Sequence, residues 1–381
     1  MHDLHELVDV SAGLRYEICV HFEDQVVETG AVAAKEHQSV VEGLVVLQVT
    51  ETRASRPRAV SLERDNKEVR GMPRTHPFPE DRIHHVWDNE QEPVLTVEPG
   101  DTVVYHTREV SDGQIGPNST ADVLSSLDWD SLYPLAGPVA MTDAEPGDIL
   151  TVEILDIHTE GWGWTAVLPG FGLLPEDFPD AYLKIFDLTN GDYTLFKDDI
   201  AIPIEPFFGT MGVSPSGPEK PVIMPPGPFG GNMDTRHLTR GSILHLPVQH
   251  AGALFSCGDA HAAQGDGEVC VTGIESPVYA ALRFDLIKGR SIPAPQFQTP
   301  GPLTPLVDEA GWYATMGVNE DLMLAAKDSL RAMVEHISTT YRLEPVEAYV
   351  LASLVVDLKI SEIVDQPNWI VSSYLPLAIF G

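Results

Sequence analysis

The sequence predicts a mainly β fold: stacked sheets of a sandwich or barrel-like kind, followed by a smaller C-terminal α/β portion. Three observations carry this expectation. Glycine and proline number 31 each and are spread along the whole chain rather than gathered in one linker, so turns punctuate it throughout. The runs between them are short and β-rich, without the alternating strands and helices of a parallel α/β sheet. Helical spacing appears only late, after Asn319.

The elements follow in order. Val94–Val97, then Glu98-Pro-Gly-Asp101, then Val103–His106 reads as strand, turn, strand. Proline presets the first central turn position and glycine accepts positive φ at the next, so a type II turn is expected. The turn recurs as Glu145-Pro-Gly-Asp148 before the apolar run Ile149–Ile157, and more weakly as Arg240-Gly-Ser before Ile243–Leu246. Pro215–Gly231 is a long loop, read as a lid or a crossing between units. Asn319 is the expected N-cap of a first helix, with Glu320 and Asp321 in its first turn and Leu322, Ala326, Leu330 and Met333 at helical spacing. Pro345 starts a second helix running through Val346–Val356.

At 381 residues, with 43% hydrophobic and 21% charged positions, the chain has the apolar mass for one large or several smaller packed units. Residues 1–71 are set apart as an N-terminal extension. Within 1–70 there are 13 acidic and 8 basic residues, so this stretch carries little of the net charge. It reads as a small appended domain, a basic-flanked linker, or sequence upstream of an initiator at Met72. Residues 72–381 form the main body.

Asp and Glu total 57 against 23 Lys and Arg, a formal charge of −34. Such a surface repels nucleic acid and anionic lipid, which excludes both as expected partners. With only 8 lysines it fits either a chain adapted to high salt or an ordinary acidic protein. No apolar run approaches the roughly 18 residues of a membrane helix, and the N-terminus lacks the basic and apolar regions of a secretory signal. Three cysteines, Cys19, Cys257 and Cys270, suggest a reducing compartment. A cytoplasmic location is expected.

The richest stretch for chemistry is Gly258-Asp-Ala-His-Ala-Ala-Gln-Gly-Asp-Gly-Glu268, flanked by apolar runs on both sides. Asp259, His261, Asp266 and Glu268 offer the carboxylate oxygens and imidazole nitrogen that a divalent cation takes. Asp259 and His261 are two apart, which on a strand sets both on one face. A polar loop whose Asp-Gly pairs only form turns is the plainer reading. His84, Asp112 and Asp122 are further ligand candidates, equally suited to structural hydrogen bonding and turn capping. Trp162, Trp164 and Phe171 lie on glycine-rich loops suited equally to walling a small pocket or to dimer packing, and are taken as candidates for the pocket wall. Cys257 beside Gly258 is either a nucleophile or a small buried apolar residue. No phosphate-binding loop, dinucleotide fingerprint, His-Glu-x-x-His or Gly-x-Ser-x-Gly motif occurs.

Ile83-His-His-Val-Trp-Asp-Asn-Glu90, the two Glu-Pro-Gly-Asp turns, Ser111-Asp-Gly-Gln-Ile115, Gly161-Trp-Gly-Trp-Thr165, Pro169-Gly-Phe-Gly-Leu173, the Gly258–Glu268 run and Val364-Asp-Gln-Pro-Asn368 together resemble the acetamidase/formamidase family, over about residues 72–381. The resemblance implies hydrolysis of short aliphatic amides to carboxylate and ammonia, a β-rich sandwich, a dimer or higher assembly, and a divalent-metal centre, zinc first with calcium as the second ion. In that frame Asp259, His261 and Glu268 hold the metal, Glu275 and Asp266 are the catalytic acids, and the aromatics admit only a two- or three-carbon acyl group. Tyr133, where many members carry His or Asn, is the departure that bears on substrate choice. Two other readings stand beside it: a thiol amidase using Cys257, and a non-catalytic β-sandwich module with structural calcium.

Overall fold

The computed structural model describes residues 72–304, 306–308, 310–364 and 366–380, together with the strands His5–Val10 and Leu14–Cys19. The chain divides into two units, Met1–Arg70 and Gly71–Gly381. In the first, His5–Val10 and Leu14–Cys19 pair as an antiparallel hairpin; the rest of the N-terminal extension lies outside the described residues.

The second unit is built on two six-stranded sheets. One runs in the order Gly230–Asn232, Phe207–Val213, Phe255–His261, Leu135–Met141, Ile83–His84, with Leu95–Val97 also pairing Leu135–Met141. The other runs Gln296–Gln298, Ile243–Pro247, Ile149–Thr159, Val278–Ile287, Thr102–Thr107, Thr75–Pro77. The main core gathers Val103, Tyr105, Val152, Ile154, Leu282 and Phe284 with Leu135, Phe208, Met211, Phe255 and Cys257. Burial in Ile149–Thr159 follows a near alternation, the signature of a strand covered on one face. Phe207–Val213 and Phe255–His261 are buried at every position, and their small residues reflect close approach on both faces.

The turns form as their residues predict. Asp101 N–H donates to Glu98 O at 2.9 Å and Asp148 N–H to Glu145 O at 3.0 Å. Gly100 and Gly147 take φ of +95° and +96°, the left-handed value only glycine adopts freely. Each turn's aspartate then accepts from the backbone N–H of its first residue.

A C-terminal α/β portion follows: helix α1, Leu322–Tyr341, helix α2, Pro345–Val355, and a three-stranded sheet ordered Trp312–Asn319, Trp369–Pro376, Asp357–Glu362. The cap of α1 differs from the expected one. Asn319 is still paired with Trp369 in the sheet, so the helix cannot begin there. Asp321 caps instead, its carboxylate accepting from Met323 and Leu324 N–H. Pro345 occupies the first turn of α2, behind a capping box of Glu344 and Glu347. The helices close a second core with Val167, Leu174, Val269, Cys270 and Ile274, behind the polar run. Among the described residues no helix is long and apolar enough to cross a membrane.

Candidate active site

One cavity of about 210 Å³ gathers the residues with the strongest chemistry. Asp259 and His261 reach it from the strand Phe255–His261, Glu268 from the turn that follows, and Glu275 from an extended stretch bridged to both Trp164 and His261. Asp234 and Asn232 enter from the segment beginning with the short strand Gly230–Asn232, paired to Phe207–Val213.

The geometry centres on His261. Its Nε2 lies 3.0 Å from Glu275 Oε2, 3.6 Å from Asp259 Oδ1 and 3.8 Å from Glu268 Oε1. Phe207 packs edge-on against the ring at 5.1 Å. Glu275 Oε1 accepts from Gly273 N–H at 3.1 Å. Asn232 donates to Asp234 Oδ2 at 2.9 Å, and Thr210 donates to Asn232 Oδ1 at 2.6 Å. Gly209 makes this closeness possible: a Cβ there would stand 2.5 Å from Asp234 Oδ1 and 2.9 Å from His261 Cε1.

So many carboxyl groups cannot all ionise in a buried space without compensation. Burial, joined by Asp259 and Asp234, pushes Glu275 up to about 8. Burial and Asp259 push Asp234 up to about 7, and burial with Asp234 raises Glu268 well above the carboxylate range. Burial alone would discharge His261, but Glu275 and Asp259 outweigh it and raise the imidazole well above its usual value. Tyr133 lines the cavity from a left-handed backbone position, φ +57°. Burial and the neighbouring carboxylates raise its phenol, leaving it a hydrogen-bond donor.

These residues fit a divalent cation. Asp234, His261 and Glu268 each offer a ligand atom within 4.8 Å of the others, as do Asp259, His261 and Glu275. Asp234 Oδ1 is buried without a hydrogen-bond partner. Hard oxygens with one imidazole nitrogen suit zinc and other divalent ions.

The rest of the cavity is largely apolar, with Leu127, Trp129, Leu168, Phe171, Met224 and Trp164 among its lining beside Ser111 and Thr272. Met224 comes from the Pro215–Gly231 loop, which is tied down by a bridge between Val222 and Val86. Glu109 anchors Trp164: the buried carboxylate accepts from the indole N–H at 2.9 Å, from Ser111 N and Oγ and from Gly113 N.

The structure thus brings together Asp259, His261, Glu268, Glu275, Tyr133, Trp164 and Phe171. It holds the other sequence-assigned residues elsewhere. His84 is buried away from the cavity, between Val86 O and Ser256 Oγ, and desolvation pushes it down to about 4; it is a neutral structural histidine. Asp112 pairs with Arg108 at 2.6 Å, and Asp122 is exposed in the short helix Ala121–Ser126. Asp266 turns away from the site to meet His237 Nε2 at 3.3 Å. Trp162 packs beside Trp164's apolar cluster without lining the cavity. Cys257 sits in the core between the sheets, outside the lining of the cavity, and burial pushes its thiol up. Asp234, Asn232, Trp129 and Glu109 were not legible in the sequence. The nearest signal was Gly230-Gly-Asn-Met-Asp234, whose paired glycines at φ +93° and +87° mark a tight backbone path.

A family model described as the Acetamidase/Formamidase family matches residues 73–220 and 219–381. An acetamidase of Mycolicibacterium smegmatis is 30% identical over 304 residues, covering 62% of this chain and 74% of that protein. A formamidase of Methylophilus methylotrophus is 27% identical over 369 residues, covering 78% and 89%. Among solved structures, a gamma lactamase from Delftia acidovorans superposes with a TM-score of 0.74 at 25% identity, over 81% of this chain and 93% of that one. An acetamidase from Bacillus halodurans gives 0.57 at 31% identity, over 79% and 97%.

Proposed function

Because the chain belongs to the acetamidase/formamidase family, and so among amidohydrolases, we propose that it cleaves the C–N bond of small primary amides, from formamide and acetamide upward, by metal-assisted hydrolysis at the His261 cluster. The observation that carries this reading is the convergence of His261 with Asp234, Asp259, Glu268 and Glu275 on one cavity whose remaining wall is largely apolar.

Asp234, His261 and Glu268 would hold the cation, which when bound supplies a polarised carbonyl and a more acidic water. Glu275 is the proton carrier. Buried in the cavity wall beside His261, it is placed to exchange protons with a water at the cluster. It takes the proton of the attacking water and returns it to the amide nitrogen, which leaves as ammonia. The Gly273 N–H, which donates to Glu275 Oε1 at 3.1 Å, keeps that carboxyl group in place. The Tyr133 hydroxyl donates toward charge developing on the carbonyl oxygen. Trp164, fixed by Glu109, orients the acyl group.

Two variants test this. His261→Ala should lose bound metal and ammonia release together, read by elemental analysis and a coupled ammonia assay. Glu275→Gln should keep its metal while kcat falls about 10²–10⁴-fold. Full turnover in the His261 variant would remove the cluster from the reaction.

A further inference from the structure

The cavity is larger than the smallest amides require. Its volume, about 210 Å³, exceeds the roughly 150 Å³ of an apolar protein cavity that takes up benzene. Acetamide is smaller than benzene and would leave much of the apolar wall facing water. That wall is aromatic and preorganised. Trp129 and Phe171 stack with centroids 5.3 Å apart and planes at 17°. Trp164 is only 3% exposed and locked through its indole N–H by Glu109. Trp129 is 46% exposed, so the stacked pair stands where the cavity meets solvent. A long alkyl chain would lose many rotamers in this space, whereas a rigid ring loses few.

We propose that the preferred substrates are primary amides with a ring-sized apolar acyl group, aryl or cycloalkyl, seated among Trp129, Phe171, Trp164 and Leu168 with the carboxamide turned to His261 and Glu275. This rests on the amide-hydrolysis reading and names its substrate class. For an aryl amide, the water oxygen bonds to the carbonyl carbon and the C–N bond breaks. The nitrogen takes one of the water's two protons and leaves as ammonia, and the other proton passes from the arene carboxylic acid to ammonia or solvent, leaving the arene carboxylate. The ring gains offset-stacked or edge contacts with the aromatic wall. Side chains that read in the sequence as a narrow wall enclose, once folded, room for a ring.

The test is ammonia release by the full-length metal-loaded protein from formamide, acetamide, hexanamide, benzamide and cyclohexanecarboxamide. The kcat/KM for the two ring amides should exceed that for acetamide at least about tenfold. Leu168→Trp, which fills the ring space, should lower the benzamide-to-acetamide ratio about tenfold. Calorimetry with the slowed Glu275→Gln variant should give a lower Kd for benzamide than for acetamide. Acetamide matching or exceeding the ring amides, with a ratio untouched by Leu168→Trp, overturns the substrate class and leaves amide hydrolysis standing. Ammonia from none of the panel overturns both.

Discussion

Replacing Gly209 by alanine adds one methyl at the tightest point of the site. An ideal Cβ would lie 2.5 Å from Asp234 Oδ1, 2.8 Å from Asp259 O and 2.9 Å from His261 Cε1. Ordinary contact distances are about 3.5–4.0 Å, so roughly 1 Å of room must be found. The backbone cannot supply it. Gly209 lies in Phe207–Val213, paired on one side with Gly230–Asn232 and on the other with Phe255–His261, and its carbonyl accepts from Met233 and Asp234 N–H. The Asp234 and His261 side chains must therefore move, while the contact with the Asp259 carbonyl oxygen is with backbone and stays strained. Overpacking of this kind costs about 1–3 kcal/mol, or a fall in Tm of roughly 5 °C. Displacing catalytic groups by about 1 Å costs on the order of 10²-fold in turnover. Gly116→Ala is the control, since nothing lies within 4 Å of its Cβ position; its Tm and activity should match the unmodified protein. Ammonia release and thermal unfolding read both effects. A Gly209→Ala protein with unchanged kcat/KM and Tm would refute the argument that this strand must approach the cluster without a side chain.

Three further outcomes follow from the same reasoning. His84 is held near 4 when folded against 6.5 when unfolded, so the unfolded chain binds the extra proton. Its contribution should be complete above about pH 6.5 and shrink by about 3 kcal/mol as pH falls to 4, an increment that denaturant titrations should find missing in His84→Gln; identical pH dependence in the two proteins would show His84 is not buried neutral. Cys257→Ala removes a core sulfur and no site group, so stability should drop by about 1 kcal/mol while turnover stays within about twofold. Loss of activity in a well-folded Cys257 variant would restore the thiol mechanism. With a net charge of −34, Tm should climb as KCl is raised from low to molar concentration, because screening relieves carboxylate repulsion; a flat profile would place the protein among ordinary acidic proteins.

Local signals were written plainly in the chain. Both Glu-Pro-Gly-Asp turns form because proline and glycine dictate the dihedrals at their own positions. Pro345 opens α2 because a missing N–H costs nothing in a helix's first turn. Asp259 and His261 meet in one cavity from one strand, two residues apart as the sequence suggested, although Asp259 itself takes a left-handed φ of +51° that the alternation rule does not supply. Family membership lay in motifs of the same local kind. Tertiary structure decided what depends on distant pairing. Asp234 joins the cluster only because Gly230–Asn232 pairs with Phe207–Val213 beside Phe255–His261, and no local pattern announces that. Asp266 was indistinguishable by composition from Glu268, yet the turn between them directs one to His237 and the other into the cavity. His84 and Asp112 have the residue types of ligands, but Ser256 and Arg108, which long-range packing and a nearby turn bring to them, take up their polar atoms first. Residue type sets what a side chain is able to bind, whereas the neighbours that compete for it, and the water they exclude, exist only once the sheets have stacked.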